Sequence, residues 1–185
     1  MLEFKDISFR LAGKGIFSFA SANISAGSKV GIVGRNGAGK TTLFKLIKGD
    51  YFIDSGELNL KKDATVGGVS QDVPNGPESL IETVINADLE LAALLGEEKT
   101  TQKSTRIVEI QERIADIDGS SAEARASSIL TGLGFSSEEQ KRPCNEFSGG
   151  WQMRVALAGV LFAEPDLLLL DEPTNYLDLE GSIWL

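Results

Sequence analysis

The sequence predicts an α/β fold in which a mixed β-sheet is combined with an α-helical subdomain, on three observations. Residues 2–26 carry β-prone side chains interrupted by Gly13 and Gly15, which predicts two or three antiparallel strands. A glycine-rich turn at residues 34–41 separates a short apolar segment from a helix-like pattern. Residues 167–170 are an apolar run of strand length, as in a strand buried on both faces of a parallel sheet.

Between these landmarks, apolar spacing predicts further strands and helices. The predicted strands are residues 29–33, 56–60 and 65–70. The predicted helices are marked by Leu43, Phe44, Leu46 and Ile47 with an end at Gly49, by Ile107, Ile110, Ile114 and Ile117, by Ala122, Ala126, Ile129, Leu130 and Leu133, and by Met153, Ala156, Leu157, Val160 and Leu161. We expect the isoleucine face to pack into the core of the helical subdomain rather than bind a partner.

The chain is interpreted as one domain of 185 residues with three parts. Residues 1–71 form an antiparallel β part with a phosphate-loop core, residues 72–163 a helical insert, and residues 164–185 a strand followed by a turn. Residues 72–147 carry a net charge of −8, so the insert is acidic. Because the sequence ends on the apolar residues Ile183, Trp184 and Leu185, we expect it to be part of a longer protein.

Composition excludes several classes of protein. The chain has 42% hydrophobic and 24% charged residues, which is typical of globular proteins rather than disordered or fibrous ones. With 18 basic and 27 acidic residues its net charge is −9, so any phosphate site must be local. The chain contains no histidine and one cysteine, Cys144, which we expect to be a packing residue. No apolar run reaches about 18 residues, and we expect a cytoplasmic protein without direct membrane insertion.

The strongest motif is a phosphate-binding loop, because residues 34–41 fit G-x-x-x-x-G-K-[ST] between a predicted strand and a predicted helix. Glycines allow backbone N–H groups to surround a phosphate, and the helix N-terminus adds a positive dipole end. Lys40 is predicted to reach the β- and γ-phosphates of a nucleotide, and Thr41 to ligate Mg²⁺. The predicted binding residues are Gly34, Arg35, Asn36, Gly37, Ala38, Gly39, Lys40, Thr41 and Thr42.

A second motif is the pair of carboxylates that follows the apolar run at residues 167–170. Ligands bind beyond the carboxyl ends of parallel strands, so we expect this pair to lie beside the phosphate loop. Asp171 is then placed to hold the Mg²⁺ shell through water, and Glu172 to orient and deprotonate an attacking water.

A third motif opens the predicted helix that contains Met153. Ser148 resembles an N-cap, and Gly149 and Gly150 after it leave N–H groups free at a helix start. Because the phosphate loop and the carboxylate pair already account for one nucleotide, we expect this element to face the γ-phosphate held by another molecule.

Together, the phosphate loop, Gln71 at a strand end, and the segments at residues 147–152 and 170–175 resemble the ATP-binding cassette (ABC) ATPases. The resemblance covers essentially the whole chain. Within that family, residues 147–158 and 171–179 look like the ABC-F subfamily of tandem-cassette ATPases that act on ribosomes, although Tyr176 stands where that subfamily usually has histidine. The chain looks like most of a first cassette.

The resemblance implies an ATPase that uses ATP and Mg²⁺ and needs a second cassette to complete its site. It implies that Gln71 contacts Mg²⁺ and water, and that residues 148–150 close on ATP bound by the opposite cassette. Asp178 resembles the aspartate of a loop that couples the two sites. The aromatic residue that stacks on adenine would fall near Leu11, and Phe9 and Phe17 remain alternatives for that role.

For the whole protein, the resemblance implies a translation factor that binds the ribosome and its RNA. The alternative is the ATPase subunit of a membrane transporter; Trp151 and residues 171–179 favour the first interpretation. A DNA-repair ATPase is disfavoured, since the segment between Gln71 and Ser148 has no Cys-x-x-Cys motif and no room for a long coiled coil.

Overall fold

The computed structural model describes residues 1–69 and 73–184. The chain divides into two compact units, Met1–Val66 and Gly67–Leu185, and each is described by itself.

The first unit is built on a three-stranded antiparallel sheet. Its strands are β1 (Leu2–Leu11), β2 (Lys14–Ile24) and β3 (Ser55–Leu60), in the order β2-β1-β3. Ala12 and Gly13 connect β1 to β2 in left-handed conformations, as a tight hairpin requires. The predicted antiparallel start of the chain is therefore confirmed, with two strands.

The buried face of β1 explains the irregular apolar spacing of this strand. Leu2, Phe4, Ile7 and Phe9 are buried, and the step from Phe4 to Ile7 is three residues rather than two. The register shifts between these two residues, where Asp6 has a φ of 49°. A bulge therefore inserts one residue and returns the strand to the same buried face.

Helix α1 (Lys40–Lys48) follows the glycine-rich turn, as predicted, and buries Leu46 and Ile47. It ends at Gly49, whose φ of 81° places it in the left-handed conformation that terminates many helices.

The predicted strand at residues 29–33 is wrong: these residues belong to none of the strands that the structure describes. Val33 is 97% exposed and Val30 55% exposed, so the segment has no covering layer on its apolar side chains. An apolar run alone does not make a strand, because its backbone groups need a neighbouring strand to pair with.

The second unit is mainly helical. Its helices are α2 (Leu80–Ile85), α3 (Leu89–Thr100), α4 (Ser104–Asp116), α5 (Ala122–Gly132), α6 (Gly149–Phe162) and α7 (Leu179–Trp184), with short 3₁₀ turns at Gly119–Ser121, Glu139–Lys141, Cys144–Glu146 and Pro173–Asn175. A two-stranded parallel sheet joins β4 (Val66–Gly68), which begins at the unit boundary, to β5 (Leu167–Leu169). Of β5, Leu169 is buried and the other two residues are half-buried.

The core of this unit lies among α2, α5 and α6. Leu80, Leu130, Phe135 and Leu157 are all but inaccessible to solvent, and Cys144 is buried with them, as expected of a packing residue. The isoleucine face of α4 also points inward: Ile110 is buried, and Ile114 and Ile117 pack against the core cluster. This face is a packing surface, as predicted.

In the part of the chain that the structure describes, no helix has both the length and the apolar character needed to cross a membrane.

Candidate functional site

The glycine-rich turn before α1 forms a tight loop that is stabilised by backbone hydrogen bonds. Gly37 and Gly39 have φ values of 76° and 103°, which are conformations that other residues seldom adopt. The Ala38 amide donates to the Arg35 carbonyl at 3.0 Å, and the Leu43 amide to the Gly39 carbonyl at 2.8 Å. These bonds turn the chain directly from the loop into the first turn of the helix.

Lys40 spans the loop that precedes it. Its ammonium donates to the Gly34 carbonyl at 3.0 Å, while residues 34–38 are exposed. Thr41 is exposed and Thr42 half-buried in the first turn of α1. The arrangement places an ammonium and the positive end of a nine-residue helix beside an exposed glycine-rich turn, a combination that suits a phosphate.

The two alternative aromatic residues are distinguished by their surroundings. Phe9 is buried and stacks on Tyr51, with ring centroids 5.7 Å apart. Phe17 is half-buried, and its ring lies 3.3 Å from the position that a Cβ would take on Gly39. Leu11, by contrast, is the last residue of β1 and is 40% exposed. Of the three candidates, Phe17 is the aromatic side chain shown against the phosphate loop.

Glu172 adopts a left-handed conformation with φ 48° directly after β5, at the start of the 3₁₀ turn Pro173–Asn175. This backbone conformation is uncommon for a residue with a Cβ. The side-chain amide of Asn175 donates to the Glu172 carboxylate at 3.1 Å, and its backbone amide donates to the Glu172 carbonyl at 3.0 Å. Glu172 is exposed, so its carboxylate is oriented by one donor and otherwise open to water.

Asp171 is exposed beside a half-buried tyrosine. Burial raises the pKa of the Tyr176 hydroxyl, and the negative charge of Asp171 raises it further. Tyr176 is therefore a neutral packing residue at physiological pH.

Ser148 is the N-cap of α6 in an extended conformation, and its hydroxyl caps none of the described amides of that turn. Gly149 and Gly150 begin the helix, and a Cβ on either would meet no atom of the described residues within 4 Å. Packing within this chain therefore does not demand glycine at these positions. The start of α6 presents free polar groups and an open surface.

A groove of about 390 Å³ joins this helix start to the turn after Glu172. It is lined by Ser148, Gly150, Trp151, Arg154, Asn175, Tyr176, Leu177 and Asp178. The structure thus brings together the third sequence motif and the residue that resembles a coupling aspartate. Gln71, the predicted glutamine of the site, lies outside the described residues.

Three supporting residues were not singled out as functional from the sequence. Phe135 packs edge-on against Trp151 at 4.9 Å and holds the first turn of α6. Gln152 is buried and donates to the Asn75 side chain at 3.1 Å. Arg154 lies in the groove. All three act through partners more than ten residues away, a relationship that local spacing does not reveal.

The described residues offer oxygen donors to a metal ion. Within residues 1–69 and 73–184, no group of three or more histidine, cysteine, aspartate or glutamate side chains is placed to hold a metal ion. Mg²⁺ does not require such a cage, because it keeps several waters and binds one or two protein oxygens together with substrate phosphates. The exposed Thr41 hydroxyl and Asp171 carboxylate are oxygen donors of the kind that Mg²⁺ prefers.

Comparison with known proteins places this chain in a family. The family model described as ABC transporter matches residues 18–175. The chain is 41% identical over 188 residues to the probable ATP-binding protein YheS of Escherichia coli K12, covering 100% of this chain and 30% of that protein. It is 39% identical over 191 residues to the human ATP-binding cassette sub-family F member 3, covering 97% of this chain and 26% of that protein. The chain thus spans less than a third of these curated relatives.

The fold is also found among solved structures. The chain aligns with the dimeric structure of a post-hydrolysis state of the ATP-binding cassette MJ0796 bound to ADP and Pi, with a TM-score of 0.64 and 21% sequence identity. The alignment covers 100% of this chain and 79% of that one, and it shows that the two share a fold.

Proposed function

The chain belongs to the ATP-binding cassette family, and we propose from that premise that it binds ATP and hydrolyses it to ADP and phosphate. The observation that carries the proposal is the loop at residues 34–42, in which the Lys40 ammonium crosses an exposed glycine-rich turn that leads directly into a helix N-terminus. We propose that residues 1–185 form one nucleotide-binding domain, with residues 72–163 as its helical part.

In this proposal the loop amides and Lys40 hold the ATP phosphates. Lys40 supplies a positive charge for the β- and γ-phosphates, and its present bond to the Gly34 carbonyl keeps it across the loop. The resemblance of MJ0796, described as bound to ADP and Pi, supports a nucleotide as the ligand. Positioning and charge stabilisation provide most of the rate of phosphoryl transfer.

Mg²⁺ is the proposed metal, with Thr41 and Asp171 as residues that would hold it and Gln71 as a further contact. When bound with ATP, Mg²⁺ neutralises charge that develops on the phosphates. The two described residues are exposed oxygen donors, which fits this cation.

Glu172 is the proposed general base. Asn175 donates to one carboxylate oxygen and so favours one orientation of the side chain. The carboxylate remains open to solvent, so a water can approach it and lose a proton to it.

We assign Ser148, Gly149 and Gly150 to ATP held by a second cassette. The open space beside both glycines and the uncapped serine support this role, because a phosphate needs close approach to the backbone there. The MJ0796 cassette, which is described as dimeric, supports pairing with a second cassette. Complete turnover then requires a second cassette, which we expect in the same full-length protein.

For the parent protein we propose an ABC-F role in translation, on the ribosome and its RNA in the cytoplasm. The similarity to sub-family F member 3 supports the ABC-F part of this proposal, together with Trp151 and residues 171–179, and the translation role follows from the resemblance to that subfamily. The alternative is the ATPase subunit of a membrane transporter, which the family description favours.

Sedimentation separates these two functions. The full-length parent is expected to co-sediment with ribosomes in the presence of ATP and to be released when ATP is omitted. The Lys40→Ala parent, which lacks the phosphate-binding ammonium, is the control and should need a higher ATP concentration to co-sediment. Co-purification with a membrane-spanning partner and no ribosomal association would replace the ABC-F function with the transporter function.

Phe17 is the proposed adenine-stacking residue, since its ring lies against Gly39 whereas Phe9 is occupied by Tyr51. Phe17→Ala should weaken ATP binding by about 1–3 kcal/mol, the value of one lost base–aromatic stack. Calorimetry of the parent protein measures this, with Phe52→Ala as a control because Phe52 is 85% exposed. Equal ATP affinity in the Phe17 variant and the wild type would assign the stacking role elsewhere.

A further inference from the structure

We propose that Arg154 is a positioning residue that locks the Asp178 loop (residues 176–178) onto helix α6 and thereby sets the rate of ATP hydrolysis. The inference rests on the proposed function, because it assigns Arg154 an effect on ATP turnover. Arg154 does so without contacting the nucleotide: it acts through Asp178.

Arg154 joins three separate segments of the second unit. Its Nε donates to the Tyr176 carbonyl at 2.8 Å, and its Nη1 donates to the Leu133 carbonyl at 3.2 Å. The same Nη1 pairs with the Asp178 carboxylate at 2.9 Å. The Arg154 side chain is only 12% exposed, so its guanidinium is largely shielded from bulk water, whereas its partner Asp178 is 54% exposed.

The flat face of the Arg154 guanidinium also stacks on an aromatic ring. Its central carbon lies 4.4 Å from the Trp151 ring centroid, and Trp151 packs edge-on against the buried Phe135. Gly134, with φ 94°, gives the guanidinium room, because a Cβ there would lie 3.3 Å from Nη1. Stacking and a planar fork of donors are properties of arginine that lysine does not reproduce.

Asp178 is fixed at both oxygens. One accepts from the Gly181 amide at 2.8 Å, and the other pairs with Arg154. The Gly181 amide and the Arg154 guanidinium lower the pKa of the Asp178 carboxyl below its usual value, so it stays ionised at neutral pH. Asp178 itself remains 54% exposed, which leaves it accessible to another molecule while Arg154 determines its orientation.

Arg154 connects Asp178 to helix α6, whose N-cap is Ser148. Arg154 lies six residues after Ser148 on α6, a rise of about 9 Å along one helix. Ser148, Arg154 and Asp178 all line the same groove. Because Arg154 binds the Tyr176 backbone as well as Asp178, the loop and the helix start are expected to move as one body when a second cassette approaches.

The test uses the full-length parent protein with the substitution Arg154→Lys, which keeps the charge but loses the fork and the stack. Hydrogen exchange of the peptide that covers residues 175–181 should be faster in this variant, because the Gly181 and Tyr176 contacts loosen. The kcat for ATP should fall about tenfold or more, since a small misplacement of a site residue has effects of this size. The KM for ATP should change less than about twofold, because the phosphate loop is untouched.

Arg125→Lys is the matched control. Arg125 also stacks on an aromatic ring, that of Phe162 at 4.8 Å, and pairs with a carboxylate, Glu164 at 3.4 Å. It lies in the same unit but not in the groove. This variant should leave the exchange of residues 175–181 and the kcat unchanged, even where it lowers the melting temperature as much as Arg154→Lys does.

A double-mutant comparison with Asp178→Asn tests whether Arg154 acts on ATP hydrolysis through Asp178. If Arg154 acts through Asp178, the double variant is expected to be no slower than the slower single variant. The proposal is overturned if exchange at residues 175–181 does not change in Arg154→Lys, if kcat falls equally in both arginine variants, or if the two losses multiply. A wild-type parent without ATPase activity would refute the proposed function, while the exchange comparison still decides whether Arg154 holds the loop.

Discussion

Glu172→Gln in the full-length protein is expected to slow ATP hydrolysis at this site by about 10²–10⁴-fold while leaving ATP affinity close to that of the wild type. The amide keeps the size of the carboxylate and an oxygen that can accept from Asn175, so the turn after β5 should persist. What it loses is the ability to take a proton from water, and a general base contributes about this much to a rate. The variant should therefore hold ATP without turning it over.

Glu164→Gln is the matched control for this variant. Glu164 is exposed, has the same φ of 48° as Glu172, and hydrogen-bonds one neighbouring side chain. The chemical change and the backbone conformation are thus the same, but Glu164 lies at the other end of β5. We expect its hydrolysis rate to equal that of the wild type. A near-wild-type rate in Glu172→Gln would exclude Glu172 as the base of this site.

Lys40→Ala is expected to weaken ATP binding by about 1.5–3 kcal/mol, the usual value of a charge-assisted hydrogen bond. This corresponds to about a 10- to 150-fold rise in Kd. The loss follows because Lys40 is the ammonium that spans the glycine loop, through its bond to the Gly34 carbonyl. Isothermal titration calorimetry with ATP measures it directly.

Lys48→Ala controls for the loss of a positive charge on the same helix, because Lys48 is exposed in the last turn of α1. Its ATP affinity should stay within about twofold of the wild type, since screened charges beyond a Debye length interact weakly. Equal affinities for the Lys40 variant and the wild type would mean that the loop is not the phosphate site.

The elements that the sequence predicted correctly have local signals. Helix α1 follows from the apolar spacing up to Ile47 and ends at Gly49, where a left-handed residue is needed. The missed helix α2 also carries a local signal, a capping box in which Ser79 and Glu82 bond each other's backbone. The prediction of a strand at residues 29–33 was wrong because a strand depends on a partner elsewhere in the chain, which a local pattern does not show.

The site residues also divide into those that a local motif predicts and those that only the structure identifies. The phosphate loop and the carboxylate pair could be read from motif spacing, because their residues are contiguous. The choice of Phe17 over Phe9 could not, since it depends on which ring lies against Gly39. Arg154 was also beyond reach, because its partners Leu133 and Tyr176 lie 21 and 22 residues away in the sequence.

Single-turnover hydrolysis of ATP, measured together with ATP affinity on the wild-type and Glu172→Gln parent proteins, tests the central claim most directly. The account predicts that the wild type converts bound ATP to ADP and phosphate, and that the variant binds ATP equally well and hydrolyses it about 10²–10⁴-fold more slowly. Equal single-turnover rates, or a variant that loses affinity without slower chemistry, would contradict the assignment of Glu172 as the base of an ATPase.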